Sequence, residues 1–521
     1  MNQLIMGKTT FVVIVALIVA LGGFLMGFDA SVISGVNKFI ELEFALTKLQ
    51  LGWAVGSLTL SATLAMMVSG PISDKIGRKK VLSIAALLYF ISAIGSAFAP
   101  SFIVLVIARM IGGLGVGASL IIAPMYIAEI APPAMRGRMV SFNQLNIVIG
   151  ISVAFFTNYL ILQLGDSTSE WAMNLKFAEY NWRWMLGLEA LPAILYFFAL
   201  FIVPRSPRWL AMKGNYDEAL QIMRRAASEE EAEEVILSVQ ESMGKEKRRI
   251  PIQELFKPAL RLVLMIGLVI GILQQITGIN SVFFYAPMIF EQSGIGTDAS
   301  FVQAILVGLI NLVFTVIAIA LIDRLGRKPL LIFGVSGIVI AMFLLSYGFK
   351  QASYTLTTES VQSLPSEINQ EQLATIVGQT FDDDVSYKHA IRDALGEDVA
   401  KAHESELIKA SVTMNAWLIL IGILGFVASF AVSVGPVMWV LFSELFPNWI
   451  RGLAISFVGL VNSAVSFLVQ LVFPWELENL GSSTTFMIYG VFAVVGLIFI
   501  VMKLPETKGK SLEELEALLV K

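Results

Sequence analysis

The chain contains no cysteine, which excludes disulfides and thiolate metal sites. Histidine is nearly absent too. Its two copies, His389 and His403, fall in one polar stretch, so no histidine within an apolar segment can relay protons. Charge is scarce: Asp, Glu, Lys and Arg make up 15% of the 521 residues, against roughly 25% in soluble domains. The period-two alternation of a membrane barrel is lacking. No nucleophile–base pair or metal cluster occurs within the apolar segments, so an enzyme, a cofactor and a nucleic-acid partner are not expected.

What the chain has is apolar length. It is 56% hydrophobic with a mean hydropathy of +0.77, and crossing roughly 30 Å of hydrocarbon takes about 20 helical residues. Twelve candidate spans lie near 10–37, 51–73, 81–99, 101–131, 139–164, 183–203, 262–290, 300–322, 330–349, 413–443, 452–475 and 484–502. The predicted class is an all-α polytopic membrane protein in the lipid bilayer. Span 1 follows a lone Lys8 and is too long for a signal peptide, so it is expected to be retained. Basic residues cluster in alternate loops: Lys75 to Lys80, Arg136 and Arg138, the segment 205–261, Arg324 to Lys328, and Arg451. The short loops on the opposite side hold only Lys38, Lys48, Lys176 and Arg183. This bias places both termini in the cytoplasm.

One string occurs twice, as Asp74-Lys75-Ile76-Gly77-Arg78-Lys79 and Asp323-Arg324-Leu325-Gly326-Arg327-Lys328, 249 residues apart. Such a repeat implies duplication into two pseudo-symmetric six-helix bundles. In each half a Glu precedes an Arg-Gly by seven residues, Glu129 before Arg136 and Glu444 before Arg451. Asp74 to Glu129 spans 55 residues, Asp323 to Glu444 spans 121, and the excess of 66 is close to the 63 residues of 350–412. That segment therefore reads as an insertion, a small helical excursion on the extracytoplasmic side. The predicted organisation is a first bundle at 1–203, a cytoplasmic helical linker at 204–261 with an acidic run at Glu229–Glu234, a second bundle at 262–503 and a tail at 504–521.

Asp74, Arg78, Glu129 and Arg136, with Asp323, Arg327, Glu444 and Arg451, form matched acid–base clusters at the cytoplasmic rim. They suit a conformational switch that locks the halves in one state and breaks in the other. Asp29 lies inside span 1 after Gly22, Gly23 and Gly27, where an unpaired carboxylate is costly. Arg109 in span 4 is its expected partner. Pairing keeps such a carboxylate charged and burial without the pair favours the proton, which suits proton coupling. Glu189 in span 6 is a second intramembrane acid and a rival carrier.

Several strings resemble one family, the sugar porters of the major facilitator superfamily, particularly bacterial proton–sugar symporters of the xylose type. They are Asp74 to Lys80; Arg109 with Gly112-Gly113 and Gly115; Pro124 to Glu129 with Arg136-Gly137-Arg138; Ser206-Pro207-Arg208-Trp209-Leu210; Gln274-Gln275 with Gly278 and Asn280; Gly435-Pro436 with Trp439; and Pro505 to Gly509. The resemblance covers nearly everything except 350–412 and implies the major facilitator fold. A sugar needs amides as two-way hydrogen-bonders and an aromatic plate. The resemblance implies that Gln274, Gln275 and Asn280 on span 7, Asn311 on span 8, Trp439 on span 10 and Asn462 on span 11 contact it. Gly278 and Pro287 are expected to interrupt span 7, and Tyr285 to act as an outer gate. An acid at the position of Asp29 is implicated in coupling, where facilitators of the family carry Asn. Three positions depart from the pattern: Ile151 replaces a sugar-binding glutamine, Ser463 an aromatic, and Arg205 a glutamate.

The expected function is a monomeric proton-coupled symporter importing a pentose or hexose across the bacterial plasma membrane. A uniporter of the same fold stays open as an alternative. A sugar-sensing receptor is disfavoured because only about 18 residues follow span 12.

Overall fold

The structure is a computed structural model that describes residues 7–133, 135–243, 251–510 and 514–516. Among these, eleven helices are long and apolar enough to cross a membrane. Spans 1 to 5 are Lys8–Glu43, Lys48–Ile76, Arg78–Ala97, Phe102–Ile130 and Arg136–Gly165. Spans 7 to 9 are Pro258–Phe284, Thr297–Ile322 and Arg327–Lys350, and spans 10 to 12 are Ala416–Leu445, Arg451–Asn479 and Gly481–Lys503. Span 6 is instead two short helices, Asn181–Gly187 and Ala190–Ala199, meeting at Leu188 and Glu189. Pro192 has no N–H to give the Leu188 carbonyl; the Leu191 N–H takes it at 3.2 Å.

Two further spans are broken. Span 7 runs as Arg261–Ile276, Ile279–Phe284 and Ala286–Glu291. Gly278 turns the chain at φ 85°, and a side chain there would strike the ring of Tyr489. Tyr285 separates the last two pieces, just before Pro287. Span 10 breaks at Ser433, three residues before Pro436, into Ala416–Val432 and Val434–Leu445.

Contacts divide the chain into two compact units. The first holds residues 1–32, 57–154 and 183–251. Small residues let its helices touch: a Cβ on Gly117 of span 4 would collide with the Ala62 carbonyl of span 2. The linker helices Pro207–Met212, Tyr216–Ala226 and Glu229–Met243 belong to this unit. Their Leu210, Ile222, Met223, Ala232 and Ile236 share one core with Phe11, Val12 and Tyr126 of spans 1 and 4. The Arg225 guanidinium sits 4.2 Å over the Phe11 ring. The linker's apolar face is thus covered, and its acidic run points the other way.

The second unit holds 33–56, 155–182 and 252–521. Within it the C-terminal end of span 1 meets the broken stretch of span 7. Asn37 donates to the Phe284 carbonyl at 2.8 Å, and the Lys38 ammonium reaches Glu291 at 3.1 Å and Thr297 at 2.7 Å.

The insertion is more than a helical excursion. It contains a three-stranded antiparallel sheet in the order 380–381, 353–355, 412–413, with Tyr354 opposite Phe381 and Ser353 opposite Thr413. This sheet closes the base of the segment, where the chain leaves span 9 and approaches span 10. Helices Asp384–Leu395 and Glu404–Ser411 pack on it around Tyr354, Leu373, Tyr387 and Leu407, an apolar core of its own. The acidic triplet helps to hold the insertion together and in place. Asp383 caps the first helix by accepting from Ser386 N at 2.8 Å. Asp384 accepts from the N–H and hydroxyl of Ser482, at 3.0 and 2.8 Å, at the start of span 12. Arg392 pairs with Glu478 at the end of span 11.

Glu404 completes the docking, accepting from Lys388 and from Gln292 after span 7, each at 3.1 Å. Burial by itself pushes its carboxyl up, but Lys388 and Lys48, with hydrogen bonds from Gln292 and Lys388, outweigh it and hold the group well below the usual carboxylate range. A depressed folded-state value stabilises the fold above the titration of the unfolded carboxyl, about pH 4.3. That contribution is lost as pH falls through the folded value. Glu404→Gln is therefore expected to lower the Tm of the detergent-purified protein by about 2 °C, equally at pH 7 and pH 5.5. The gap between variant and wild type should narrow below about pH 4; a gap that widens on acidification would contradict a charged docking contact.

Candidate functional site

Polar groups inside the spans gather at three places. The first is in the first unit. Asp29 on span 1 and Arg109 on span 4 are both 1% exposed, and a guanidinium nitrogen lies 3.5 Å from Asp29 Oδ1. The other carboxylate oxygen, Oδ2, is buried with no hydrogen-bond partner among the described residues. It faces Gly112, where an added Cβ would stand 2.6 Å from Oδ2 and 2.5 Å from the hydroxyl of Ser92. The glycine therefore provides the space in which this oxygen sits. Glu189 is also 1% exposed, with Oε1 unpartnered among the described residues, and lies within electrostatic range of Asp29 and Arg109. Its place at the break of span 6 puts a second carboxylate beside the pair. Chemically, the group holds one cation against two carboxylates, so one proton is needed for neutrality.

The second place is in the second unit, where the turn at Gly278 brings amides from both sides of the break together. Asn280 Nδ2 donates to Gln275 Oε1 at 2.9 Å, and Gln275 Nε2 to Asn462 Oδ1 at 3.3 Å and to Gln274 Oε1 at 3.2 Å. Asn462 Nδ2 donates to Gln274 Oε1 at 2.8 Å and to the Gly271 carbonyl at 2.7 Å, and Gln274 Nε2 lies 3.5 Å from the Val434 carbonyl. Four of the six expected sugar residues thus form one network. Asn311 is buried on span 8 and makes no hydrogen bond among the described residues, while Trp439 is 49% exposed and edge-on to Phe442. Tyr285 is fully buried; its hydroxyl donates to the Gln470 carbonyl at 3.0 Å and its ring packs on Phe473.

Two residues of this site were missed in the sequence. Ser466 accepts from Asn280 Nδ2 and from Gln470 Nε2, each at 2.8 Å. With Asn462 they stand at i, i+4 and i+8 on span 11, one helix face. That spacing was the available signal.

The third place is the rim, and its pairing differs from sequence proximity. Glu129 does not pair with Arg136, which is exposed with no ion pair among the described residues. It pairs with Arg78 at 3.1 Å and accepts from the Ser206 hydroxyl. Arg78 also holds Asp74 at 2.7 Å. In the second unit Glu444 pairs with Arg327 at 2.7 Å and accepts from Thr507 at 2.6 Å. Arg451 turns instead to the Phe446 carbonyl at 3.1 Å. The side chain of Asp323 lies outside the described residues. Each half therefore carries a carboxylate, a guanidinium and a hydroxyl, the hydroxyl coming from the segment after its last span. The matching strings Pro204-Arg205-Ser206 and Pro505-Glu506-Thr507 were the signal for Ser206 and Thr507.

Besides Arg136 and Arg451, the halves differ in one anchoring contact. Glu506 accepts the backbone N–H of Arg327 and Lys328, at 3.2 and 3.0 Å, at the start of span 9. Arg205 occupies the matching position in the first half and lies 3.7 Å from Glu218.

These features accord with known proteins. The profile of the family described as "Sugar (and other) transporter" matches residues 15–364 and 402–519, omitting the middle of the insertion. An arabinose-proton symporter of Bacillus subtilis is 34% identical over 511 residues, 98% of this chain and 96% of that protein. The D-xylose-proton symporter of Escherichia coli K12 is 33% identical, over 98% of this chain and 96% of that protein. A partially occluded inward open structure of the E. coli xylose transporter XylE superposes with a TM-score of 0.73 at 31% identity, covering 96% of this chain and all of the other. The chain therefore belongs to the sugar transporter family, a twelve-span major facilitator fold whose members are transporters and not enzymes.

Proposed function

We propose that the chain is a proton-coupled symporter that imports a monosaccharide, a pentose or a hexose, by alternating access. The observation that carries proton coupling is the buried Asp29–Arg109 pair with one carboxylate oxygen unpartnered. A charge buried in hydrocarbon surroundings is tolerated only while compensated. Any weakening of the contact with Arg109 as the helices move favours protonation of Asp29, and its re-formation expels the proton. Glu189 shares the same cation and is the alternative holder of that proton. The names of the relatives, symporters of arabinose and xylose, favour the same reading.

The sugar is received by Gln274, Gln275, Asn280 and Asn462, with Asn311 and Trp439 as outlying contacts. These amides bond to one another, so a sugar hydroxyl meets the donors and acceptors that the network leaves over. Ile151 and Ser463 remove one hydrogen-bonding group and one ring face, which makes the pocket less aromatic than the resemblance implies. Tyr285 acts as the gate, since it closes the break of span 7 against span 11. The rim triads, Arg78–Glu129–Ser206 with Asp74 and Arg327–Glu444–Thr507 with Asp323, serve as the switch, with Arg136 and Arg451 as auxiliary bases. The functional halves are 1–203 and 262–503, joined by the linker 204–261. The site of action is the bacterial plasma membrane, with both termini cytoplasmic and the monomer as the working unit.

Asp29→Asn should abolish gradient-driven accumulation while leaving counterflow exchange; full accumulation by this variant would end the coupling role of Asp29. Sugar-induced alkalinisation of a weakly buffered vesicle suspension separates symport from uniport, which moves sugar without protons. Asn462→Ala removes the hydrogen bonds that span 11 gives to the Gly271 carbonyl and to Gln274 Oε1. It should weaken sugar binding by about tenfold or more, a loss of ~1.4 kcal/mol. Unchanged affinity, read by competition among unlabelled sugars, would place the pocket elsewhere.

A further inference from the structure

We propose that the pocket meets the sugar at Asn280 only as a hydrogen-bond acceptor, and that Ser466 sets this preference; the proposal rests on the transport reading above. The Gly271 carbonyl can only accept. Asn462 must therefore turn its NH2 group toward it, at 2.7 Å. Asn462 Oδ1 is then the acceptor for Gln275 Nε2. Gln275 consequently presents Oε1 to Asn280, whose Nδ2 donates to it at 2.9 Å. One backbone carbonyl thus fixes the direction of each amide in the chain, with no freedom to flip.

Asn280 has two amide protons, and both are used. The second goes to the Ser466 hydroxyl oxygen at 2.8 Å. That hydroxyl is held in place by Gln470, fully buried, donating at 2.8 Å. What Asn280 has left is Oδ1, with no hydrogen-bond partner among the described residues, on a side chain that is only partly buried. A ligand hydroxyl at this point must give its hydrogen. Ser466 touches no sugar in this scheme and acts through Asn280 as a positioning residue.

The distinction is measurable with analogues that separate donating from accepting. A deoxyfluoro sugar keeps a weak acceptor at the substituted carbon and loses the donor, while a deoxy sugar loses both. Uptake of labelled D-xylose, D-glucose and L-arabinose identifies the parent sugar. Its monodeoxy and monodeoxyfluoro analogues then compete against it in wild type, Ser466→Ala and Ser466→Thr. In wild type, one ring position should exist at which both analogues compete at least about tenfold more weakly than the parent. Ser466→Ala frees one Asn280 proton, so the fluoro analogue at that position should recover to within about threefold of the parent while the deoxy analogue stays weak. Ser466→Thr keeps the hydroxyl and should keep the wild-type pattern.

Wild type accepting fluorine at each position within about twofold, a scan that needs no variant, would overturn the proposal. So would a folded Ser466→Ala with the wild-type pattern. A loss of parent-sugar binding in Ser466→Ala without the change in fluorine preference would assign Ser466 a packing role and also overturn it. Absence of uptake of all three labelled sugars would overturn the transport reading, and the proposal with it, and is distinct from each of these results.

Discussion

The structure turns on one constraint: inside hydrocarbon, a polar group finds its partner within the protein or is costly. Asp29 and Arg109 are its sharpest case, a carboxylate and a guanidinium each 1% exposed and 3.5 Å apart. Their geometry leaves one carboxylate oxygen unpartnered, and glycine at position 112 leaves it room. A pair that satisfied both oxygens would be a stable anchor. This one is a poised group, because adding a proton to the free oxygen changes what the arginine must neutralise. The amides around the break of span 7 follow the same rule with neutral partners.

The spans were legible because hydropathy over twenty residues is a strong signal, and 350–412 was legible because the duplicated strings served as a ruler. The break in span 7 was also readable, since Gly278 and Pro287 act locally. The sheet within the insertion was not: strands such as 380–381 are too short for any periodicity to register. The two-piece form of span 6 rests on Pro192, whose missing N–H shortens one hydrogen-bond step without changing hydropathy. At the rim the residues were legible and their partners were not. Glu129 and Arg136 are close in sequence, yet the helix of Glu129 ends at Ile130 and a turn intervenes before Arg136. Arg78, on another helix, stands nearer. The six sugar residues came from resemblance, whereas the order of their hydrogen bonds depends on how spans 7 and 11 are rotated, which no single helix pattern encodes.

Duplication explains why the rims agree and the centres differ. A rim contact needs a carboxylate, a guanidinium and a hydroxyl, and both halves retain all three in the same relative places. At the centre, one half has kept acids and an arginine while the other has kept amides. On the proposed reading this difference has a chemical sense: a proton site requires a charge whose compensation can vary, and a sugar site requires directional donors and acceptors that do not drift.

The rims themselves differ in how the segment after the last span is anchored. In the second half, Glu506 ties the segment after span 12 to the start of span 9 through two backbone N–H groups. Hydrogen bonds to a carboxylate are roughly twice as strong as neutral ones, and the positive end of a helix adds to them. In the first half Arg205 stands at that point and cannot accept; span 3 begins at Arg78 with no side-chain cap from Gly77. Both halves tie this segment back through side-chain donors. In the first, Lys79 donates to the Phe201 carbonyl and Trp209 to the Asp74 carbonyl. In the second, Lys328 donates to the Val501 carbonyl and Lys508 to the Arg324 carbonyl, and the Glu506 carboxylate is added to these. Duplicated parts that have diverged at such an anchoring residue are held with unequal strength, so the same composition does not imply the same ease of opening.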